Sequence, residues 1–190
     1  LYFATYLEDG DRFRCDIFRS GGHMHAAIRR VKAEIPTYAS LHLPAIHGKL
    51  IEQTTEGLIL IVGVTGSGKS STVAAMLEHI NEMRSENIIT IEDPVEYRIT
   101  ANKCIVSQRE VGIDVPDYAT ALRFIVRQDP DVILIGEMRD HDTVLAAIQA
   151  AETGHLVFGS LHTADTMQAM SRILEFFAPK DHPFVRGALA

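Results

Sequence analysis

The first 35 residues follow an alternating pattern of apolar and polar positions. Short alternating stretches occupy residues 3–7, 13–18 and 27–31, and turn sequences rich in Gly, Asp and Ser lie at residues 8–11 and 20–22. A period of two with such turns predicts a β-hairpin or meander. The sequence around Pro36 then breaks the pattern, and the segment to Gly48 is predicted to be a connector with a short helical stretch.

The rest of the chain alternates between continuous apolar runs and helical patterns. The apolar runs at residues 58–62, 88–91, 132–135 and 156–158 predict strands that are covered on both faces. Helical patterns lie at residues 69–84, 118–127, 143–151 and 165–177. This order predicts an α/β fold with a mostly parallel sheet. We therefore divide the chain into a β module (1–35), a linker (36–49) and an α/β domain (50–190).

Composition narrows the class of protein. The chain has 190 residues, 46% of them hydrophobic, which is enough for one domain and part of a second. Two cysteines cannot form a disulfide framework or a four-cysteine zinc site, so a reducing, cytoplasmic compartment is expected. There is no run of about 18 apolar residues and no basic-then-apolar leader. Because the chain opens without Met and closes without a helix-stop signal, we expect a piece of a longer protein.

The charge is unevenly distributed. The net charge is −7, which argues against bulk attraction to nucleic acid or to an anionic membrane as the basis of function. Residues 1–50 carry seven Lys/Arg and five Asp/Glu, a net +2, whereas the rest carries 11 against 20, a net −9. The two biases predict two modules of opposite sign.

Residues 63–70 fit the phosphate-binding pattern G-x-x-x-x-G-K-[ST] at every fixed position. The pattern follows a predicted buried strand and precedes a predicted helix, as phosphate binding by backbone N–H groups requires. A chance Gly-rich turn is the alternative, and both flanks argue against it. Lys69 would reach the β/γ-phosphates and Ser70 would bind Mg²⁺. The predicted ATP-binding residues of this loop are Gly63, Val64, Thr65, Gly66, Ser67, Gly68, Lys69, Ser70 and Ser71.

Acidic residues follow two of the predicted strands. Glu137 comes directly after the strand at 132–135 and its glycine, so it would bind Mg²⁺ directly or through water. Glu92, Asp93 and Glu96 follow the strand at 88–91. Because carboxyl ends of parallel strands converge on one crevice, these acids could orient a water molecule and accept its proton. Helix caps or solvated loop acids are the alternative reading.

Two histidines flank the last predicted strand, His155 before it and His162 after it. A histidine that follows a strand can sense the γ-phosphate or donate to it. Taken singly, either one could be an exposed loop histidine. Their spacing of seven residues does not suit a simple pair of metal ligands.

These motifs in this order resemble the secretion-superfamily ATPases of type IV pili and type II secretion. The matching segments are residues 63–70, 90–97, 129–140 and 153–163, called the P-loop, Asp box, Walker B segment and His box. Residues 12–14, 108–112, 136–140 and 151–155 resemble the retraction (PilT/PilU-type) branch. The resemblance implies a RecA-like P-loop domain preceded by a PAS-like α+β domain, of which residues 1–35 would be the last strands.

The resemblance also implies roles for single residues. Glu96 matches the catalytic glutamate, with Glu92 and Asp93 in support, and Glu137 matches the Walker B acid. His155 and His162 match the catalytic His-box pair, while Arg14 and Arg29 align with arginines that reach nucleotide phosphates from the N-terminal domain. A basic module closing on an acidic, metal-binding core could hold a triphosphate. Arginines that merely solvate a sheet face are the alternative.

The resemblance implies an ATP- and Mg²⁺-dependent homo-hexameric motor for pilus retraction and twitching motility, in which hydrolysis drives domain rotation. It would work in the cytoplasm at the inner-membrane base of the pilus machine, bind an inner-membrane platform protein, and touch the membrane only through partners. A pilus-assembly or type II secretion ATPase, and an accessory subunit of low activity, are the alternatives. A nucleic-acid translocase is disfavoured by the acidic charge and the lack of a basic, aromatic-rich groove.

Overall fold

A computed structural model of the chain describes residues 1–6, 12–31 and 34–189. The N-terminal part forms an antiparallel three-stranded sheet, as the alternating pattern predicts. Its strands are β1 (Tyr2–Tyr6), β2 (Arg12–Ser20) and β3 (His23–Val31), in that order. Gly21 and Gly22 turn the chain between β2 and β3 with φ angles of 58° and 81°, which glycine adopts without strain. The turn predicted at residues 8–11 lies outside the described residues.

A five-stranded parallel sheet forms the centre of the remainder, which confirms the predicted α/β class. The strands are β4 (Gly57–Val62), β5 (Asn87–Glu92), β6 (Ile105–Glu110), β7 (Val132–Ile135) and β8 (Leu156–Leu161). Their spatial order is β4-β8-β7-β5-β6. All neighbours pair in parallel, so every strand ends at the same edge, called here the carboxyl edge.

Helices cover both faces of this sheet. They are α1 (Ile46–Gln53), α2 (Lys69–Met83), α3 (Tyr118–Ile125), α4 (His141–Glu152), α5 (Thr166–Glu175) and α6 (His182–Ala188). One apolar core lies between the sheet and α3 to α6, and a second lies between the sheet and α1 and α2. Ile89 faces the first core and Ile88 the second, as the alternation along β5 requires. Within the described ranges, no helix is both long and apolar enough to cross a membrane.

Three elements differ from the sequence prediction. The edge strand β6 is absent from it, because only its first two residues are apolar. Helix α1 spans the boundary predicted between linker and domain, and its Ile51 is buried in the second core. Helix α6 is also missing from the prediction, because Pro183 and Gly187 interrupt the helical pattern. The three-part division of the chain remains a prediction.

The helices that begin near the carboxyl edge differ in how their first turns are satisfied. Helices α3, α4 and α5 each begin with an aspartate that accepts a hydrogen bond from a backbone N–H three residues later: Asp117, Asp140 and Asp165. Helix α2 instead follows Gly68, which has a φ of 95° and makes no side-chain cap. The first turn of α2 therefore keeps backbone N–H groups available for an anion.

Candidate nucleotide-binding site

The loop between β4 and α2 has the backbone that its motif predicts. Gly66 and Gly68 have φ angles of 79° and 95°, where other residues are strained. A Cβ atom on Gly63 would collide with Oγ of Ser67, so the loop can curl this tightly only with glycine there. The curl leads into the uncapped first turn of α2. Local sequence thus builds a concave, N–H-rich surface at the carboxyl edge.

Lys69 lies across the mouth of this loop. Its Nζ donates hydrogen bonds to the carbonyl oxygens of Gly63 at 2.8 Å and Val64 at 3.1 Å. The same Nζ lies 3.5 Å from Nδ1 of His162. Both carbonyls belong to the loop itself, so the ammonium group is held close to where a bound phosphate would lie. A phosphate oxygen could replace these carbonyls as its acceptor.

Glu137 joins His162 and Arg139 in a charged group beside the loop. Nε2 of His162 lies 3.4 Å from one carboxylate oxygen of Glu137, and Arg139 donates to the other at 2.5 Å. Burial alone would raise the pKa of Glu137. The hydrogen bond and charge of Arg139, aided by His162 and Lys69, lower that pKa below its usual value. Glu137 is therefore ionised at neutral pH, as a magnesium ligand must be.

The acids after β5 have different environments. Glu92 accepts hydrogen bonds from Thr90 at 2.6 Å and Gln108 at 3.2 Å. Burial raises its pKa to about 7, against the lowering effect of those hydrogen bonds. The side chains of Asp93 and Glu96 are exposed to solvent. Asp93 and Glu96 are thus open to solvent, whereas Glu92 is enclosed and holds its proton more tightly than an ordinary glutamate.

Arg14 of the N-terminal sheet reaches this edge through a buried ion pair. Its Nε lies 3.2 Å from a carboxylate oxygen of Glu110, the last residue of β6, and the two side chains are 13% and 1% exposed. Arg29 is opposite Arg14 in the β2–β3 register, and its side chain is exposed. The N-terminal sheet therefore brings positive charge to the acidic edge, as the charge division predicts.

A cavity of about 510 Å³ lies between these parts. The predicted site residues along its wall are Arg14, Arg29, Thr65, Gly66, Gly68, Lys69, Ser70, Ser71, Glu92, Glu96, Glu137 and His162. Gly63 and Val64 join the same site through their carbonyl contacts with Lys69. The structure thus brings these predicted site residues together around a cavity that can hold a nucleotide.

His155 is the exception. It precedes β8 and therefore lies at the amino edge of the sheet, separated from the loop by the six residues of β8, roughly 20 Å. Its Nδ1 lies 2.9 Å from the carbonyl oxygen of Ala150, in the last turn of α4. Within one chain the structure does not bring His155 to the cavity. A catalytic role would require the site of a neighbouring subunit, and it stays a prediction.

Sequence reasoning missed several residues at the cavity. Gln108, Tyr97 and Arg30 line it, and Arg139 contacts Glu137 beside it. Gln108 and Glu110 are missed because β6 is missed. The signal that could have found them is the segment 108–112, which the family resemblance singles out without giving it a role.

The residues present fit a magnesium–nucleotide complex. Among the described residues, no group of three or more His, Cys, Asp or Glu could hold a metal ion alone. Magnesium bound with a nucleotide needs only one or two protein ligands, because phosphate and water oxygens supply the rest. Ser70 and Glu137 both line the cavity and can supply those ligands.

A parallel sheet with a glycine-rich loop before α2 and acids after neighbouring strands defines a RecA-like P-loop fold. Residues 28–182 match the family described as Type II/IV secretion system protein, and the chain belongs to that family. It superposes on a crystal structure of the pilus retraction motor PilT with bound ADP, with a TM-score of 0.95 and 47% identity. The match covers all of this chain and 55% of that one.

Two curated relatives come from Pseudomonas aeruginosa. The chain is 41% identical to the type IV pilus retraction ATPase PilT over 94% of its own length, and 44% identical to the type IV pilus ATPase PilU over 95%. It covers 52% and 47% of those proteins, so it spans about half the length of the curated relatives it matches. These relatives confirm the predicted kinship with pilus ATPases.

Proposed function

We propose that the intact protein hydrolyses ATP with Mg²⁺ and powers type IV pilus retraction. The observation that carries the proposal is the convergence of Lys69, Glu137 and Glu96 on one cavity at the carboxyl edge. A phosphate-binding cation, a magnesium ligand and an exposed carboxylate are the three groups that phosphoryl transfer to water requires.

Binding would begin at the uncapped first turn of α2. The triphosphate replaces the carbonyl oxygens of Gly63 and Val64 as the acceptor for Lys69. Ser70 and Glu137 would hold the magnesium ion, which when bound neutralises charge on the phosphates. Glu137 accepts a hydrogen bond from Arg139 at one carboxylate oxygen, so a metal ion that binds that oxygen would displace the guanidinium of Arg139. Its 59% exposed side chain leaves room for this movement.

Hydrolysis would use the acids after β5. Glu96 accepts the proton of the attacking water, and Glu92 supports the position of that water. His162, between Lys69 and Glu137, would sense the γ-phosphate. Arg14 and Arg29 would neutralise charge that develops in the transition state when the N-terminal sheet closes on the cavity. His155 would serve a neighbouring subunit's site.

The coverage of the relatives favours the retraction branch. The matches to PilT, PilU and a Neisseria gonorrhoeae twitching motility protein span 94% to 99% of the chain, and so include much of the N-terminal sheet. The type II secretion system protein E of Xanthomonas campestris matches only 67%. By the same kinship we propose a homo-hexamer with domain rotation. It would act in the cytoplasm at the inner-membrane base of the pilus machine, on a platform protein.

Steady-state ATP hydrolysis by the intact protein tests the chemistry. Glu96→Gln should lower kcat by at least about 100-fold, because general-base catalysis contributes that much. Wild-type turnover in this variant would exclude Glu96 as the base. A wild-type protein with little turnover of its own would instead favour the accessory-subunit alternative.

A motility assay tests the mechanical output. A strain carrying Lys69→Ala should keep its surface pili and lose twitching, because retraction fails while assembly continues. Loss of the pili themselves would favour the assembly alternative. The comparison strain carries Lys49→Ala, which changes an exposed lysine of α1 outside the cavity.

A further inference from the structure

Two side chains of β6 hold the backbone on both sides of Glu96. Gln108 donates to the carbonyl oxygen of Tyr97 at 2.9 Å and accepts from the N–H of Ile99, also at 2.9 Å. Glu110 accepts from the N–H of Val95 at 3.2 Å. Gln108 and Glu110 are two residues apart in a strand, so they lie on one face. The segment that carries Glu96 is therefore fixed one residue before and one residue after it.

Both side chains also contact the charged groups of the site. The amide nitrogen of Gln108 donates to Glu92 at 3.2 Å. Glu110 pairs with Arg14 at 3.2 Å, and its carboxylate is 1% exposed. Hydrogen bonds and ion pairs at such low exposure are costly to break one partner at a time. These contacts connect the N-terminal sheet, the Asp box and the edge strand in one network.

We propose that Gln108 and Glu110 are positioning residues that hold Glu96 through its backbone, and that Glu110 links this support to Arg14. The inference rests on the proposed role of Glu96 as the base. Neither side chain need touch substrate for this role. Glu96 has an exposed side chain, so the fixed main chain on each side limits where its carboxylate can lie. A movement of Arg14 with the N-terminal sheet would then shift the position of Glu96 through the carboxylate of Glu110.

The first test changes Gln108 in the intact protein. Gln108→Met keeps the side-chain length and removes all three hydrogen bonds. We expect kcat to fall about 10- to 100-fold, because misplacing a catalytic group costs that much. The dissociation constant of ADP, measured by calorimetry, should stay within about threefold, since the residues that would bind phosphate are unchanged. A kcat within threefold of wild type, or an equal loss of ADP affinity, overturns the proposal.

A matched glutamine separates positioning from general loss of stability. Gln128 lies outside the cavity and accepts a hydrogen bond from Arg109, which projects from the face of β6 opposite to Gln108 and Glu110. Gln128→Met should therefore leave kcat unchanged, whatever it does to the melting temperature. An equal fall in kcat in both variants would assign Gln108 a merely structural role.

The second test asks whether Gln108 acts through Glu96. In a Glu96→Gln background, single-turnover hydrolysis of radiolabelled ATP should be no more than threefold slower after Gln108→Met is added. A full additional loss would overturn the positioning role while leaving the proposed function intact. If Glu96→Gln alone turns over like wild type, the proposed base itself is wrong.

Glu110→Gln tests the link to Arg14. It keeps an oxygen for the N–H of Val95 and removes the charge that pairs with Arg14, so we expect a smaller fall in kcat, about tenfold. The control is Glu86→Gln, which makes the same change in a partly buried pair with Arg84 at the amino edge. A wild-type kcat in Glu110→Gln would mean that the ion pair with Arg14 does not help to position Glu96.

Discussion

The two edges of the parallel sheet carry the same kinds of polar side chain and use them differently. At the amino edge, Arg84 donates to the carbonyl oxygens of Ile51 and Thr54, and His155 lies against the carbonyl of Ala150. Each of these side chains contacts main-chain carbonyl oxygens that lie close to it in space. At the carboxyl edge, Lys69 and Glu137 both lie near His162 across a cavity.

The comparison shows that residue type alone does not mark a functional site. Arginine–glutamate pairs and histidines occur at both edges, Arg84 with Glu86 at one and Arg139 with Glu137 at the other. What differs is the setting: Arg84 and His155 lie away from the cavity, whereas Lys69, Glu137 and His162 line it at the carboxyl edge. Parallel strands place ligand crevices at their carboxyl ends. Changes at the amino edge should therefore alter stability, and changes at the carboxyl edge should alter turnover.

The largest effect should come from the amino-edge residue Asn81, near the end of α2. Its buried side chain donates to the carbonyl of Thr100 at 2.8 Å and accepts from the N–H of Asn102 at 2.9 Å. Asn81→Ala would leave those buried groups without partners and lower the free energy of unfolding by about 3 kcal/mol. Urea denaturation measures the loss, and kcat of the folded protein should not change. A large fall in kcat would break the proposed division between the edges.

The next effect compares the two histidines. His162→Ala removes the group between Lys69 and Glu137 and should lower kcat about tenfold. His155→Ala should lower the free energy of unfolding by about 1 kcal/mol and should lower kcat only in the assembled protein, where His155 can serve a neighbouring subunit's site. Turnover and thermal unfolding of both variants decide the matter. An unchanged kcat in the assembled His155→Ala protein would exclude His155 from a neighbouring subunit's site.

Glu92 predicts a dependence of stability on pH. Burial raises its pKa to about 7 in the folded chain, above the value of about 4.3 in an unfolded chain. The folded state therefore binds more protons, and stability falls as the pH rises from about 4.3 to 7. A single group that binds one more proton in the folded state gives a slope of at most about 1.4 kcal/mol per pH unit. Unfolding curves of Glu92→Gln across this range should lack that part of the slope. An unchanged slope would contradict the raised pKa.

The smallest effect concerns two tyrosine hydroxyls that are buried without a hydrogen-bond partner among the described residues, those of Tyr38 and Tyr118. Replacing either tyrosine by phenylalanine should raise the free energy of unfolding by about 0.5 kcal/mol, because an unsatisfied polar atom is removed. Tyr38 lies beside His79 of α2, whereas the Tyr118 hydroxyl lies next to Gly136. If Tyr118→Phe lowers kcat and Tyr38→Phe does not, the carboxyl-edge site includes the hydroxyl of Tyr118.

Four of the five parallel strands could be predicted from sequence, and the fifth could not. Strand β7 has four buried apolar residues in a row, a pattern typical of a strand that is covered on both faces. Strand β6 pairs with β5 alone and has the sequence Ile-Val-Ser-Gln-Arg-Glu. Its polar residues face loops and side chains rather than a core, so hydrophobic patterning cannot find it.

The candidate site follows the same division. The phosphate loop could be predicted because a fixed local sequence determines its backbone. Glu137 and His162 could be predicted because each follows a recognisable strand. The supporting contacts of Gln108 and Glu110 could not, since they join residues distant in sequence through a strand that patterning misses. The motif assigns His155 and His162 to one site, although the six residues of β8 separate the two histidines.

The capping of the helices has a consequence for binding stoichiometry. Asp117, Asp140 and Asp165 occupy the first turns of α3, α4 and α5 with negative charge, which repels a second anion. Helix α2 follows Gly68 and offers its first turn without such a charge. Titration with ADP should therefore saturate at one nucleotide per chain, and inorganic phosphate should compete for that same position.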